Sequence, residues 1–273
     1  MRPVFPNSAL VRAPEWLLLR GGRKQSISLK VRYGIVRHPV AGLILIDTGY
    51  GPRVTQGPRN LPLRIYSRLL APSLIDDGQP ETALRRMGAT VADVRAIVVT
   101  HFHADHVAGL HLFPQARIYA HRGVLEAILA RGTWRNLRHG VFAELLPPSL
   151  AERTVDIAAL PRREASLELG MGADLLGDGS LLAVDLPGHA EGHFGVCFAR
   201  LPVPLLSAVD VQWLAAALPN ARRPGFPANL IADDRQALAE SAGRVAAFRA
   251  NGGDVLLCHD PHDSLYDMRD QGT

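Results

Sequence analysis

Val98-Val99-Thr100-His101-Phe102-His103-Ala104-Asp105-His106 is the stretch on which the reading of this chain turns. Its first residues continue an apolar run from Ala96, the pattern of a strand buried on both faces. Four side chains able to bind a metal then fall within six residues, at His101, His103, Asp105 and His106. In extended chain, residues two apart point the same way, so His101 and His103 can grip one ion together. A tight turn into a helix sends Asp105 and His106 in another direction, where they can grip a second ion. Imidazole and carboxylate suit zinc, and also iron, manganese or cobalt. A polar loop that merely caps a helix through Asp105 does not account for four such groups so close together.

Each half-site needs further ligands, and three other strand ends offer them: Leu186-Pro187-Gly188-His189, Ala208-Val209-Asp210 and Leu257-Cys258-His259-Asp260. A lone histidine is more often a hydrogen-bonded core or surface group. These gain weight because each follows an expected strand, as the first cluster does. Strands are read at 30–35, 43–46, 96–100, 117–120, 173–176, 181–186, 194–199, 204–208 and 254–258. Helices are read near 63–70, 80–88, 122–130 and 233–250, the last capped by Asp233 and stopped by Gly252-Gly253. Residues 132–168 read as irregular. Lid-like inserts are expected near 52–80, 132–150 and 211–230. Continuous apolar strands followed by helices describe an α/β protein whose sheets are covered from outside.

Composition narrows the class. The chain has 273 residues, is 47% apolar and has a mean hydropathy of +0.05, enough for a sizeable core in one domain spanning 1–273. No apolar run approaches the ~20 residues of a membrane helix, and the first residues lack the apolar core of a secretory leader. Two cysteines, Cys197 and Cys258, exclude a disulfide framework and read as reduced thiols in the cytoplasm. Net charge is +4, and the doublets Arg85-Arg86, Arg162-Arg163 and Arg222-Arg223 are scattered without interleaved aromatics. They read as solvated surface, so neither nucleic acid nor membrane is an expected partner.

The motifs taken together resemble the metallo-β-lactamase superfamily of binuclear hydrolases. The resemblance runs through Asp47 in Asp47-Thr48-Gly49, the cluster from Thr100 to His106 followed by Gly109, then Pro187-Gly188-His189, Asp210 and His259, across about residues 30–260. It implies a four-layer αββα sandwich. It also implies that His101, His103 and His189 hold one metal, and that Asp105, His106 and His259 hold another. Asp210 would bridge the two, and Asp47 would orient a ligand imidazole. The cofactor implied is two divalent ions, zinc first and manganese, iron or cobalt after it.

Departures from the family pattern narrow it further. His103 stands where flavodiiron oxidoreductases carry glutamate. Asp210 stands where true β-lactamases usually carry cysteine or serine. Neither the basic insert of the nuclease branches nor the C-terminal domain of glutathione thioesterases is expected. The chain looks most like the acyl-homoserine lactone lactonases, which often place a tyrosine three residues after the bridging aspartate. Here that residue is Trp213, and Tyr50 or Tyr66 could stand in for it.

The expected activity is hydrolysis of a small lactone or carboxylic ester by a metal-bridging hydroxide, with Asp105 shuttling the proton. Thioesters and phosphotriesters or phosphodiesters rank next. A mononuclear iron persulfide dioxygenase is the rival enzyme, and a binding module with a decayed site is the rival outside enzymology. Phe102, Trp134, Phe142, Trp213 and Phe226 read as core aromatics by default, with a substrate wall as the second reading because they lie in or beside the inserts or next to ligands. Trp213, Tyr50, Tyr66, Phe102 and Phe226 are the candidate substrate-binding residues. His193 is expected to hydrogen bond near the site. His38, His111, His121, His139 and His262 read as surface or capping groups. Cys258 is expected to point away from His259 into the core. A homodimer is compatible with this reading.

Overall fold

The computed structural model describes residues 2–218 and 232–269. Strands β1 (Asn7–Pro14) and β2 (Ser26–Arg32) form an antiparallel hairpin. Strands β3 (Gly34–His38) and β4 (Gly42–Ile46) form a second, and β5 (Ser73–Leu74) joins the free edge of β1. Strands β6 (Val94–Val98), β7 (Arg117–Ala120) and β8 (Thr154–Asp156) extend the second hairpin into a five-stranded sheet of order β3-β4-β6-β7-β8. From β4 onward that sheet is parallel. Parallel neighbours need crossovers, and helices Leu61–Leu70, Pro80–Arg86 and Arg122–Ala130 lie on them.

The later strands are β9 (Arg162–Ala165), β10 (Gly170–Asp174), β11 (Leu181–Asp185), β12 (Phe194–Phe198), β13 (Leu205–Val209) and β14 (Asp254–Leu257). They build a six-stranded sheet of order β14-β13-β12-β11-β10-β9. It is an antiparallel meander until helix Arg235–Ala250 carries the chain back to set β14 parallel to β13.

Side-chain alternation sorts these elements into four layers. On β4, Ile44 and Ile46 face the other sheet, where they meet Phe194, Val196 and Phe198 of β12. Their neighbours Leu43 and Leu45 face outward with Ile97 and Ile118 and pack on Leu63, Leu84, Leu125 and Ile128 of the helices. On the far side, Leu182, Val184 and Leu206 cover Ala242, Val245 and Phe248 of helix Arg235–Ala250. The result is the expected αββα sandwich. Asp47 and the segments 99–106, 186–189, 209–210 and 258–259 follow β4, β6, β11, β13 and β14, so the carboxyl ends of strands from both sheets gather at one rim.

Three readings change. Residues 132–168 are not irregular: helices Thr133–Arg138 and Leu150–Arg153 and strands β8 and β9 lie there. Each is short, with too few turns to print a period on the sequence. The cap of the last helix is Asp234, whose Oδ1 accepts from the Gln236 and Ala237 amides, and not Asp233. Strand β1 had no signal, because its apolar residues do not alternate and its register with β2 shifts between Asn7 and Leu10. Phe226, with much of the 211–230 insert, lies outside the described residues.

Candidate metal centre

Two backbone features aim the side chains. Asp47 and Val209 both have left-handed backbone, with φ of 59° and 53°. For a β-branched residue such as Val209 this costs of order 1–3 kcal/mol and persists only where neighbours impose it. The Cys258 amide donates to Val209 O at 3.0 Å, and the Asp210 amide donates to His193 Nε2 at 3.3 Å. His193 in turn donates from Nδ1 to Leu186 O at 2.7 Å. It is therefore a neutral imidazole joining two strand ends, and burial lowers its pKa to about 3. Sequence reasoning gave His193 only a general hydrogen-bonding place; its hold on the Asp210 backbone depends on strand pairing.

The outer nitrogens of four of the clustered histidines have partners. Thr100 Oγ1 spends its proton on Asp47 Oδ2 at 2.8 Å, so it accepts from His101 Nδ1 at 3.2 Å. His103 Nε2 donates to His139 O at 3.0 Å. His106 Nδ1 donates to Asp47 Oδ2 at 2.8 Å, and His259 Nδ1 donates to Lys30 O at 2.8 Å. In the neutral ring the inner nitrogen then carries a lone pair. This is how outer partners set the tautomer of metal-binding imidazoles.

These inner lone pairs converge. His101 Nε2 and His189 Nε2 each lie 3.1 Å from His103 Nδ1. With no proton between His101 and His103, such a contact is repulsive without a cation. Nitrogens bound to one tetrahedral ion at ~2.0–2.1 Å stand about 3.3 Å apart, close to what is seen. Asp210 Oδ2 lies 3.3 Å from His189 Nε2 and 3.3 Å from His106 Nε2, between the two groups. Asp210 Oδ1 is 3.4 Å from His259 Nε2. Asp105 Oδ2 is 3.2 Å from His259 Nε2 and 3.5 Å from His106 Nε2. His106 Nε2 and Asp210 Oδ1 are buried with no hydrogen-bond partner, as expected of atoms reserved for an ion. The donor set fits divalent metal, His101, His103, His189 and Asp210 on one side and Asp105, His106 and His259 on the other.

Electrostatics divide the two groups. Burial pushes the His101 imidazole well below its ordinary range, and burial with the neighbouring His189 takes His103 to about 3. Burial acts the same way on His106, but Asp105, Asp47 and Asp210 outweigh it and hold its pKa well above the usual range. Burial also opposes ionisation of Asp105 and Asp210, yet His106 and His259 keep both carboxyls well below theirs. The second group thus calls for positive charge, which a proton or a metal cation can supply.

Cys258 is buried in the core as expected, but it does not point away from His259. Strand β14 ends at Leu257, so alternation does not carry through residues 258 and 259. Its sulfur lies within 4.8 Å of the candidate ligand atoms of Asp105, His106 and His259 and donates to Arg32 O at 3.3 Å.

Around the cluster, Tyr50 is buried and its hydroxyl hydrogen bonds that of half-buried Tyr66. Both phenols are pushed up by burial, with Asp105 adding to the effect. Phe142 packs on Tyr66 with ring centroids 4.7 Å apart. Phe102 is buried in the helix-side core. Trp213 packs partly buried against Leu18, Leu19 and Leu29, a separate cluster under the first hairpin. Trp134, read as core by default, is 80% exposed, because its short helix turns it outward.

A four-layer sandwich with imidazoles and carboxylates gathered at one rim defines a protein built to hold metal at the ends of its strands. The model of the metallo-beta-lactamase superfamily matches residues 30–203, and the chain belongs to that superfamily. The probable metallo-hydrolase Rv2300c of Mycobacterium tuberculosis is 30% identical over 241 residues, 83% of this chain and 73% of that protein. The N-acyl homoserine lactonase AttM of Azorhizobium caulinodans is 25% identical over 244 residues, 88% of this chain and 85% of its own length. The crystal structure of an AiiA mutant of B. thuringiensis, with N-decanoyl-L-homoserine bound at its active site, superposes with a TM-score of 0.70 at 17% identity, covering 95% of this chain and 93% of that one. Lactonases are thus among the proteins that this metallo-hydrolase resembles.

Proposed function

We propose that this chain hydrolyses a small ester-like substrate, a lactone or carboxylic ester, using two divalent ions, zinc first among them. The observation that carries the reading is Asp210, whose Oδ2 stands 3.3 Å from an imidazole nitrogen of each group. His101, His103 and His189 would hold one ion, Asp105, His106 and His259 the other, with Asp210 between. Bound there, two such ions supply a water of lowered pKa and charge that polarises a carbonyl oxygen. The chain's own groups do the rest. Asp105, kept ionised by His106 and His259, is the group placed to take a proton and pass it to the leaving oxygen. The Tyr50 and Tyr66 hydroxyls, both protonated at neutral pH, can donate a hydrogen bond to the substrate. Phe142 and the Tyr66 ring offer an apolar wall to an acyl group. The same reading treats residues 1–273 as one domain in the cytoplasm.

Metal analysis of the purified protein, with rates measured on lactone, ester, thioester and phosphotriester substrates, tests this. About two transition-metal ions per chain and fastest turnover on a lactone or ester are expected. One iron per chain with oxygenation of a persulfide overturns it. Asp210→Asn should keep the fold, weaken the metal pair and cut turnover at least ~10²-fold. Unchanged turnover with both ions retained would mean that another residue bridges.

A further inference from the structure

Helix Leu61–Leu70 shows two faces. Inward, Leu63 is fully buried and Tyr66 reaches down to Tyr50. Outward, Leu61, Ile65 and Leu69 recur every fourth residue and form one stripe, 64%, 49% and 79% exposed. Arg64 and Arg68 flank the stripe, both exposed and, among the described residues, without a side-chain hydrogen bond or ion pair. Between Asp47 and Asp76 the chain has Arg53, Arg59, Arg64 and Arg68 and no acidic residue. Among the described residues, the acid hydrogen-bonded to this segment is Glu144, which accepts from the Asn60 amide at the helix start. Beyond Phe142, which packs on Tyr66, helix Thr133–Arg138 holds Trp134 out to solvent with Arg135 and Arg138 on the same short helix.

We propose that this face docks on an anionic lipid surface. Apolar side chains flanked by arginines are what an interfacial helix presents to a bilayer, with arginine at the headgroups and leucine, isoleucine and tryptophan below them. Charge complementarity selects this occupant over a second copy of the chain. A two-fold interface sets the same patch against itself, and residues 48–75 bring no carboxylate there to pair with Arg64 and Arg68. The contact is peripheral, since no described helix is long and apolar enough to cross a membrane. Docking would set lipid on the side of this helix opposite Tyr66. The inference stands apart from the substrate reading, since a surface contact does not depend on which bond is cleaved.

The test is co-sedimentation of the full chain with phosphatidylcholine vesicles, with and without phosphatidylglycerol. Binding at least about ten-fold stronger to the anionic vesicles is expected, reversed by salt near ~1 M, where screening acts within ~3 Å. Arg64→Gln with Arg68→Gln should weaken it about 10- to 30-fold, at about five-fold per arginine. Ile65→Glu with Leu69→Glu should abolish it. All four side chains are exposed, so metal content and circular dichroism should match the parent protein. No partition onto anionic vesicles, or equal partition by both double variants, overturns the proposal. So does a solution dimer that Ile65→Glu with Leu69→Glu dissolves while vesicle binding is absent, because a second copy then covers the face.

Discussion

At the residue scale, His193 makes the sharpest case. It is 1% exposed, donates from one nitrogen and accepts at the other, so a second proton would break its bond to the Asp210 amide. Its folded pKa of about 3 lies below the ordinary 6.5, so the unfolded chain binds this proton more readily. The contribution of neutral His193 is complete above the unfolded pKa and is lost as pH falls toward 3. Glutamine can donate and accept in a similar way but does not titrate. In chelator-treated protein, wild type should lose stability relative to His193→Gln by about 1.4 kcal/mol per pH unit below about pH 6. Urea melts at neutral and mildly acidic pH measure this, and parallel losses in the two proteins would show that His193 does not titrate in folding.

At the scale of elements, the approach of Gly188 to helix Arg235–Ala250 locks His189 in place. Gly188 has φ of +118°, and a β-carbon there would stand 2.1 Å from Leu238 N and 2.6 Å from Asp234 O, both backbone atoms. Gly188→Ala must either move the helix or displace the turn that carries His189. A loss of roughly 3 kcal/mol or more is expected, with fewer ions bound per chain. A melting temperature and metal content equal to the parent's would refute the close approach. This packing also shows where sequence reading ran out. The Pro187-Gly188-His189 turn was legible because Leu181–Asp185 is a continuous apolar run ending in turn residues. The contact with Leu238 was not, because it joins segments some 50 residues apart. Strands β4 and β12 were legible because burial on both faces makes each an unbroken apolar run, and β6 because only exposed Arg95 interrupts its own. The place of Tyr66 beside Asp105 was not, since it depends on how helix Leu61–Leu70 packs, and Cys258 was misread by extending strand alternation one residue too far.

At the scale of the whole molecule, the cluster joins the two sheets. His101, His103, Asp105 and His106 come from the end of β6, while His189, Asp210 and His259 come from the ends of β11, β13 and β14. Ions held there should stabilise the sandwich as ligands that bind only the folded state, by about 4 kcal/mol for one site at a thousand times its Kd. Stripping metal at neutral pH should therefore lower the melting temperature, and adding back zinc should restore it. Against burial, Asp105, Asp47 and Asp210 raise the proton affinity of His106, and Cys258 with Asp210 and Asp105 raises that of His259, so protons and metal compete there. Chelators should thus remove metal faster as pH falls from about 7.5 to 5.5. A melting curve indifferent to chelator at either pH would mean that the centre contributes nothing to the fold.

Spreading the candidate ligands along the chain also sets an order of events during synthesis. Roughly 150 residues separate His106 from His259. At about 5–20 residues per second, the first ligands wait roughly 8–30 s on the ribosome for the last. Through that interval the nascent chain offers His101, His103, Asp105 and His106 as an incomplete, open grip for whichever cation is near. The arrangement that discriminates between ions exists only once β14 has paired and His259 has arrived. Selection of the native metal is therefore an act of the finished polypeptide, and any ion captured earlier must be exchanged or retained when the second sheet closes over it.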